Sequence, residues 1–121
     1  MSERSEIILE GTPEMSFECI RRVAEKLNML GYSYGTRRSS GKPDYASWDR
    51  TYNLSISVFE TREDTEEQVG VIKLQLLPWE RTLFSVPPRN SWSSPFQVFM
   101  ADLSAEFHKL GFEYFEEENH E

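Results

Sequence analysis

Two stretches alternate apolar and polar residues with a period of two, and a third strand-like stretch follows them. Tyr52, Leu54, Ile56 and Val58 alternate with Asn53, Ser55 and Ser57; Ile72, Leu74 and Leu76 alternate with Lys73 and Gln75; RTLFSV follows over 81–86. This period sends one set of side chains into a core and the other toward solvent, which is the pattern of antiparallel strands covered on one face. The connections suit a meander. The acidic segment ETREDTEEQ (60–68) has no apolar period and reads as a solvated hairpin tip, and Leu77-Pro78-Trp79-Glu80 fits a type I turn with proline at its second position. Short strands around 7–9 and 32–37 extend the sheet, and FEYF from Phe112 is the candidate for a last strand.

Two helices bracket this meander and share one grammar. Over 12–31, Thr12 is placed to cap, Pro13 stands where a missing N–H costs nothing, Glu14 faces the positive end of the dipole and Gly31 can close the helix in the left-handed region. Phe17, Ile20, Val23, Ala24, Leu27 and Leu30 fall on one face. Over 95–110, Ser94 as cap, Pro95 and Gln97 form an S-x-x-Q capping box, with Leu110-Gly111 as the stop. Phe96, Phe99, Met100, Leu103, Phe107 and Leu110 make its apolar face. The order β-α-β-β-β-β-α, with a candidate final strand, predicts an α+β two-layer sandwich: a mostly antiparallel sheet of about five strands with both helices on one face. The matching T/S-P to L-G-aromatic units raise an internal repeat, which common capping preferences produce equally well.

At 121 residues and 14.2 kDa the chain fits a single domain, with 1–5 and 116–121 expected to fray. No apolar run reaches the roughly 18 residues of a membrane span, and MSERSEIILEG lacks the regions of a secretion signal. Cys19 is the single cysteine, which leaves neither an internal disulfide nor a cysteine cluster for zinc. A soluble, cytoplasmic protein with no membrane partner is the resulting expectation. A net charge of -8 and a pI near 4.8 argue against nucleic acid as a partner.

The catalytic shortlist is empty. Cys19 lies at the margin of the first helix's apolar face and reads as a small, half-buried hydrophobe, while His108 falls on the polar side of the second helix and His120 in an acidic tail. The acidic run lacks the spacing and glycine of a calcium loop. No G-x-G-x-x-G, Walker A or H-E-x-x-H pattern occurs, so neither a cofactor nor an enzyme activity is indicated.

Three surfaces are candidates for binding. TRRSSGKPDYASWDR gathers Arg37, Arg38, Lys42 and Arg50 with Tyr45 and Trp48 around a Ser-Ser-Gly turn, and suits a phosphate or an acidic peptide; its ordinary reading is a long, charged connection. In VPPRNSW, Arg89 and Trp92 lead into the second helix, with Trp92 either packed on its first turn or presented to a partner. If both helices cover one sheet face, Asn53, Ser55, Ser57, Lys73, Gln75 and Ser85 make the other a polar strip open to water, a peptide or a second subunit. A non-enzymatic binding or adaptor domain, with another protein or itself as partner, ranks first. A self-associating or acidic chaperone-like protein follows, then a small-ligand domain or minor enzyme with a pocket between sheet and helices.

Overall fold

The computed structural model describes residues 4–40, 53–109 and 114–116. Its strands are β1 (Ser5–Glu10), β2 (Tyr34–Ser40), β3 (Asn53–Arg62), β4 (Thr65–Leu77), β5 (Arg81–Val86) and β6 (Tyr114–Glu116). Helix α1 (Pro13–Met29) follows β1, and α2 (Ser94–Lys109) follows β5. The strands form one sheet in the order β2-β3-β4-β5-β1-β6, with every neighbouring pair antiparallel. The architecture is the α+β two-layer sandwich that the alternation predicts. Both helices belong to β-α-β units whose strands run parallel without touching. One unit skips three strands (β1 to β2) and the other skips one (β5 to β6), so the two similar helix units have different reach.

Between the layers lies one core. Ile20, Val23 and Leu27 of α1 and Phe96, Phe99, Leu103 and Phe107 of α2 pack on Leu9, Leu54, Ile56, Val58, Ile72, Leu74 and Phe84 of the sheet. Phe96 reaches so deep that a Cβ at Gly70 would overlap its ring, which accounts for glycine inside a strand at that point. Beside it, Val69 is the extra residue of a bulge between the pairs Val58↔Gly70 and Phe59↔Gln68.

Several local expectations change. Thr12 does cap α1, its Oγ1 accepting from the Met15 N–H at 3.4 Å, and Gly31 (φ 105) ends the helix while its N–H donates to Asn28 O. Leu30, expected in the core, is the C-cap and 71% exposed, because the chain leaves helical geometry there before its side chain reaches the sheet. The cap of α2 is Ser93 rather than Ser94: Ser93 Oγ accepts from the Phe96 N–H, Ser93 O accepts from the Gln97 N–H, and the Gln97 side chain donates to Trp92 O. The N–H that proline lacks is dispensable at the second helical position as at the first, which lets the helix start one residue earlier, at Ser94.

The acidic segment is mostly strand. β3 and β4 pair through Arg62↔Thr65, leaving only Glu63 (φ 53) and Asp64 (φ 66) in a two-residue turn with both residues left-handed. Backbone ladders need no apolar period, which is why periodicity missed this arm. The second turn is not type I. Trp79 (φ 67) and Glu80 (φ 54) both take positive φ in the loop between paired Leu77 and Arg81. A type I turn would place its third residue near −90°.

Candidate functional site

The two arginines that open the basic segment point to opposite faces of the sheet. Arg38 pairs with Ile56 in the ladder and reaches α1, forming a double hydrogen bond to the Glu14 carboxylate (3.0 and 2.7 Å) with its guanidinium 5.0 Å from the Phe17 ring centre. Arg37 pairs with Ser57 on the uncovered face, stacks 4.5 Å from the Phe59 ring centre and bonds Glu66 at 2.6 Å. Adjacent strand residues face opposite ways, so the expected basic cluster is split at its root. Lys42, Tyr45, Trp48 and Arg50 lie outside the described residues.

Arg89 and Trp92 are brought together, as structure. The Trp92 indole N–H donates to Pro87 O at 2.8 Å, its ring meets Phe96 edge-on at 5.5 Å, and Arg89 stands 5.5 Å from the ring centre. Ser91 turns back on Pro88 O through both its backbone N–H and its hydroxyl. This loop folds down on α2, which is the packed alternative for Trp92.

The uncovered sheet face is less polar than the alternation implies. Ser55, Ser57, Lys73, Gln75 and Ser85 do lie there, joined by half-buried Ile8, Val71 and Leu83, which register places on the same side. In RTLFSV, Leu83 and Phe84 are adjacent, so one of them must face outward. Phe84 takes the core. Thr82 is then buried beside it, with its hydroxyl donating to Gly11 O at 2.8 Å.

Arg4 organises this face, although it falls in the stretch expected to fray. Beyond Lys73↔Ser85 the next partner for Val71 would be Pro87, which has no N–H to offer. Arg4 supplies the donor instead. Its guanidinium bonds Val71 O (2.9 Å), Ser85 O (2.9 Å) and Ser85 Oγ (2.7 Å), and burial lowers its pKa against the opposing pull of Glu6. Arg4, Glu6, Ser55, Lys73, Gln75 and Leu83 line a shallow depression of about 370 Å³ in the middle of the face.

Trp79 is the functional candidate that the sequence reading passed over. Its ring is 86% exposed, while its backbone takes a conformation that a bulky side chain rarely adopts. The turn that carries it is tied to the start of α1: the Gly11 N–H donates to Glu80 O at 2.8 Å, and the Met15 thioether stands against Gly11. Met15 (45% exposed) and Leu76 (37%) therefore share with Trp79 one end of the molecule. The only sequence signal was a tryptophan directly after Pro78, which the turn reading treated as a spacer.

The candidate catalytic groups have ordinary settings. Cys19 is buried outright rather than by half, and burial, reinforced by Glu106, raises its thiol pKa despite nearby Arg22. A thiol held neutral is a poor nucleophile. His108 is exposed on the outer side of α2 beside Ala101, Ser104 and Ala105. Among the described residues no group of three or more His, Cys, Asp or Glu is placed to hold a metal ion, and no described helix is long and apolar enough to cross a membrane. Comparison with known protein families, with curated proteins and with solved structures finds no match. The fold is an α+β sandwich whose second sheet face no described helix or strand covers.

Proposed function

We propose that this chain is a non-enzymatic binding module that takes a protein partner on the uncovered face of its sheet. One observation carries the reading: in a chain of net charge -8, the centre of this face sets half-buried Ile8, Val71 and Leu83 among Arg4, Lys73 and Glu6, around a depression. Apolar side chains grouped around an arginine are what the centre of a protein contact surface favours, and Lys73 and Glu6 suit its polar rim. A pocket between sheet and helices has less support, because Phe96, Phe99, Leu103 and Ile20 fill that layer. The buried, neutral Cys19 fits a reducing cytoplasmic setting and gives no handle for nucleophilic chemistry.

A site-specific photo-crosslinker tests the reading. Placed at Gln75 or Ser57 and irradiated in extract of the cells that make the protein, it is expected to give one defined protein adduct that disappears on Leu83→Lys. A crosslinker at Ser104, on the outer side of α2, gives none. Equal adducts from both surfaces, or an adduct indifferent to Leu83→Lys, overturn the proposal.

A further inference from the structure

Trp79 sits where neither local conformation nor core packing asks for tryptophan. At φ 67, glycine or asparagine is the favoured occupant, and left-handed backbone costs an ordinary residue roughly 1–2 kcal/mol. Nor is the cost offset by burial, since the ring is 86% exposed. The turn itself is firmly held, through Gly11 N–H to Glu80 O and through Arg81 Nε to Pro78 O at 3.2 Å. A strained backbone that displays a large aromatic on a fixed turn is a reason to look for the surface that receives it.

The same chain carries a surface of matching chemistry. Around Trp79 stand Glu80, the next residue, and the cross-strand pair Glu10↔Arg81, one more carboxylate than cation. The depression on the uncovered face has Arg4 and Lys73 against Glu6, one more cation than carboxylate, with Leu83 as its apolar contact. Tryptophan is the best aromatic partner for such cations. Arg4 is held for it, because three hydrogen bonds from Nε and Nη2 to Val71 and Ser85 fix its guanidinium, and a planar guanidinium is a group on which an aromatic ring can stack. The chain's own Trp79 is on the turn at the end of the sheet, beyond Leu77, so the ring to seat in the depression would be that of another copy. Five strands about 4.8 Å apart, each about six residues long, present a face of roughly 24 by 20 Å, about 480 Å², so the turn that carries Trp79 has to add to the face before the standard footprint of about 800 Å² per partner is reached.

We infer that the chain pairs with a second copy of itself, open face to open face, the Trp79 ring of each copy seated in the depression of the other beside Arg4 and Lys73. The arrangement is reciprocal, so a two-fold axis satisfies both contacts at once. It rests on the uncovered face being the binding surface and names the occupant.

Sedimentation equilibrium of the full chain over a wide concentration range reads it. The expected mass rises from 14.2 kDa toward twice that value. Trp79→Ala and Lys73→Glu, each at an exposed position and each checked for an unchanged circular dichroism spectrum, weaken pairing by about tenfold or more. Mixing the two variants restores pairing in part, because one supplies the ring and the other the intact depression. A wild-type chain that stays monomeric throughout overturns the inference, as does a mixture that recovers nothing. If Lys73→Glu abolishes pairing and Trp79→Ala does not, the occupant is wrong and the open-face reading survives. Should neither variant affect pairing, self-association uses another surface and both fall.

Discussion

The two ends of the sheet treat their tryptophans in opposite ways. At the end where α2 begins, Trp92 spends its indole N–H on Pro87 O and packs on Phe96, Phe96 fills the space over Gly70, and Tyr34 ties β2 to the first turn of α2 through its hydroxyl and Pro95 O at 2.6 Å. At the other end, Trp79 has a strained backbone and an exposed ring, with Met15 and Leu76 also partly bare. One end has its polar groups satisfied and its rings interlocked, while the other keeps apolar surface in water at a conformational cost. The packed end uses its tryptophan for stability, and the other end gives up some stability to display one.

The contrast is sharpened most by Phe96→Ala. Its ring is fully buried between the layers, so removing it should cost about 3–5 kcal/mol in chemical unfolding, with a cavity over Gly70. Trp92→Ala comes next at about 2 kcal/mol, smaller because the ring is only partly buried and water can reach the freed Pro87 carbonyl. A cost for Trp92→Ala near zero would break the comparison, for both tryptophans would then be surface fittings.

Trp79→Gly should go the other way or hardly move. Relief of the left-handed strain favours the variant, and the added freedom of glycine in the unfolded chain opposes it; the two offset to within about 1 kcal/mol. The measurement belongs at dilute protein, where self-association adds nothing to stability. A loss of about 2 kcal/mol or more would mean that the ring packs on its own molecule and would remove the reason for seeking a partner.

How far these features were legible in the sequence depends on the range of the interactions behind them. Alternation in 52–58 and 72–76 and the Thr12-Pro13 start of α1 are local signals, and the sheet and helices follow them. Strand order was not legible, because nothing local says that β1 slots between β5 and β6. Arg4 looked like part of a loose terminus, since its three acceptors lie 67 and 81 residues away and become necessary only when Pro87 withholds an N–H. Trp79 was missed for a different reason. Whether a tryptophan in a turn is buried or displayed depends on what the rest of the fold packs against that turn, and no local signal carries that. Arg37 and Arg38 show the converse failure: adjacent in sequence, they read as a cluster, and strand geometry sends them to opposite faces.

The smallest effect comes from the packed end and concerns pH. The Tyr34 phenol, buried beneath α2 and beside Glu60 and Tyr32, has its pKa pushed up from 10.0 to about 12. The folded state thus holds the phenolic proton more tightly than the unfolded chain does. Its contribution is present in full below pH 10 and is lost as pH rises from 10 through about 12, where the unfolded chain gives up a proton that the folded one retains. Tyr34→Phe lacks both the hydroxyl bond to Pro95 O and the titration, so it should be less stable by about 1 kcal/mol at neutral pH. Other alkaline ionisations are common to the two proteins and cancel in the difference. Paired urea melts from neutral pH to pH 12 should therefore show the gap between wild type and Tyr34→Phe closing across this window; a constant gap would mean that the hydroxyl is as well solvated in the folded protein as out of it, and that this end of the sheet is looser than its contacts imply.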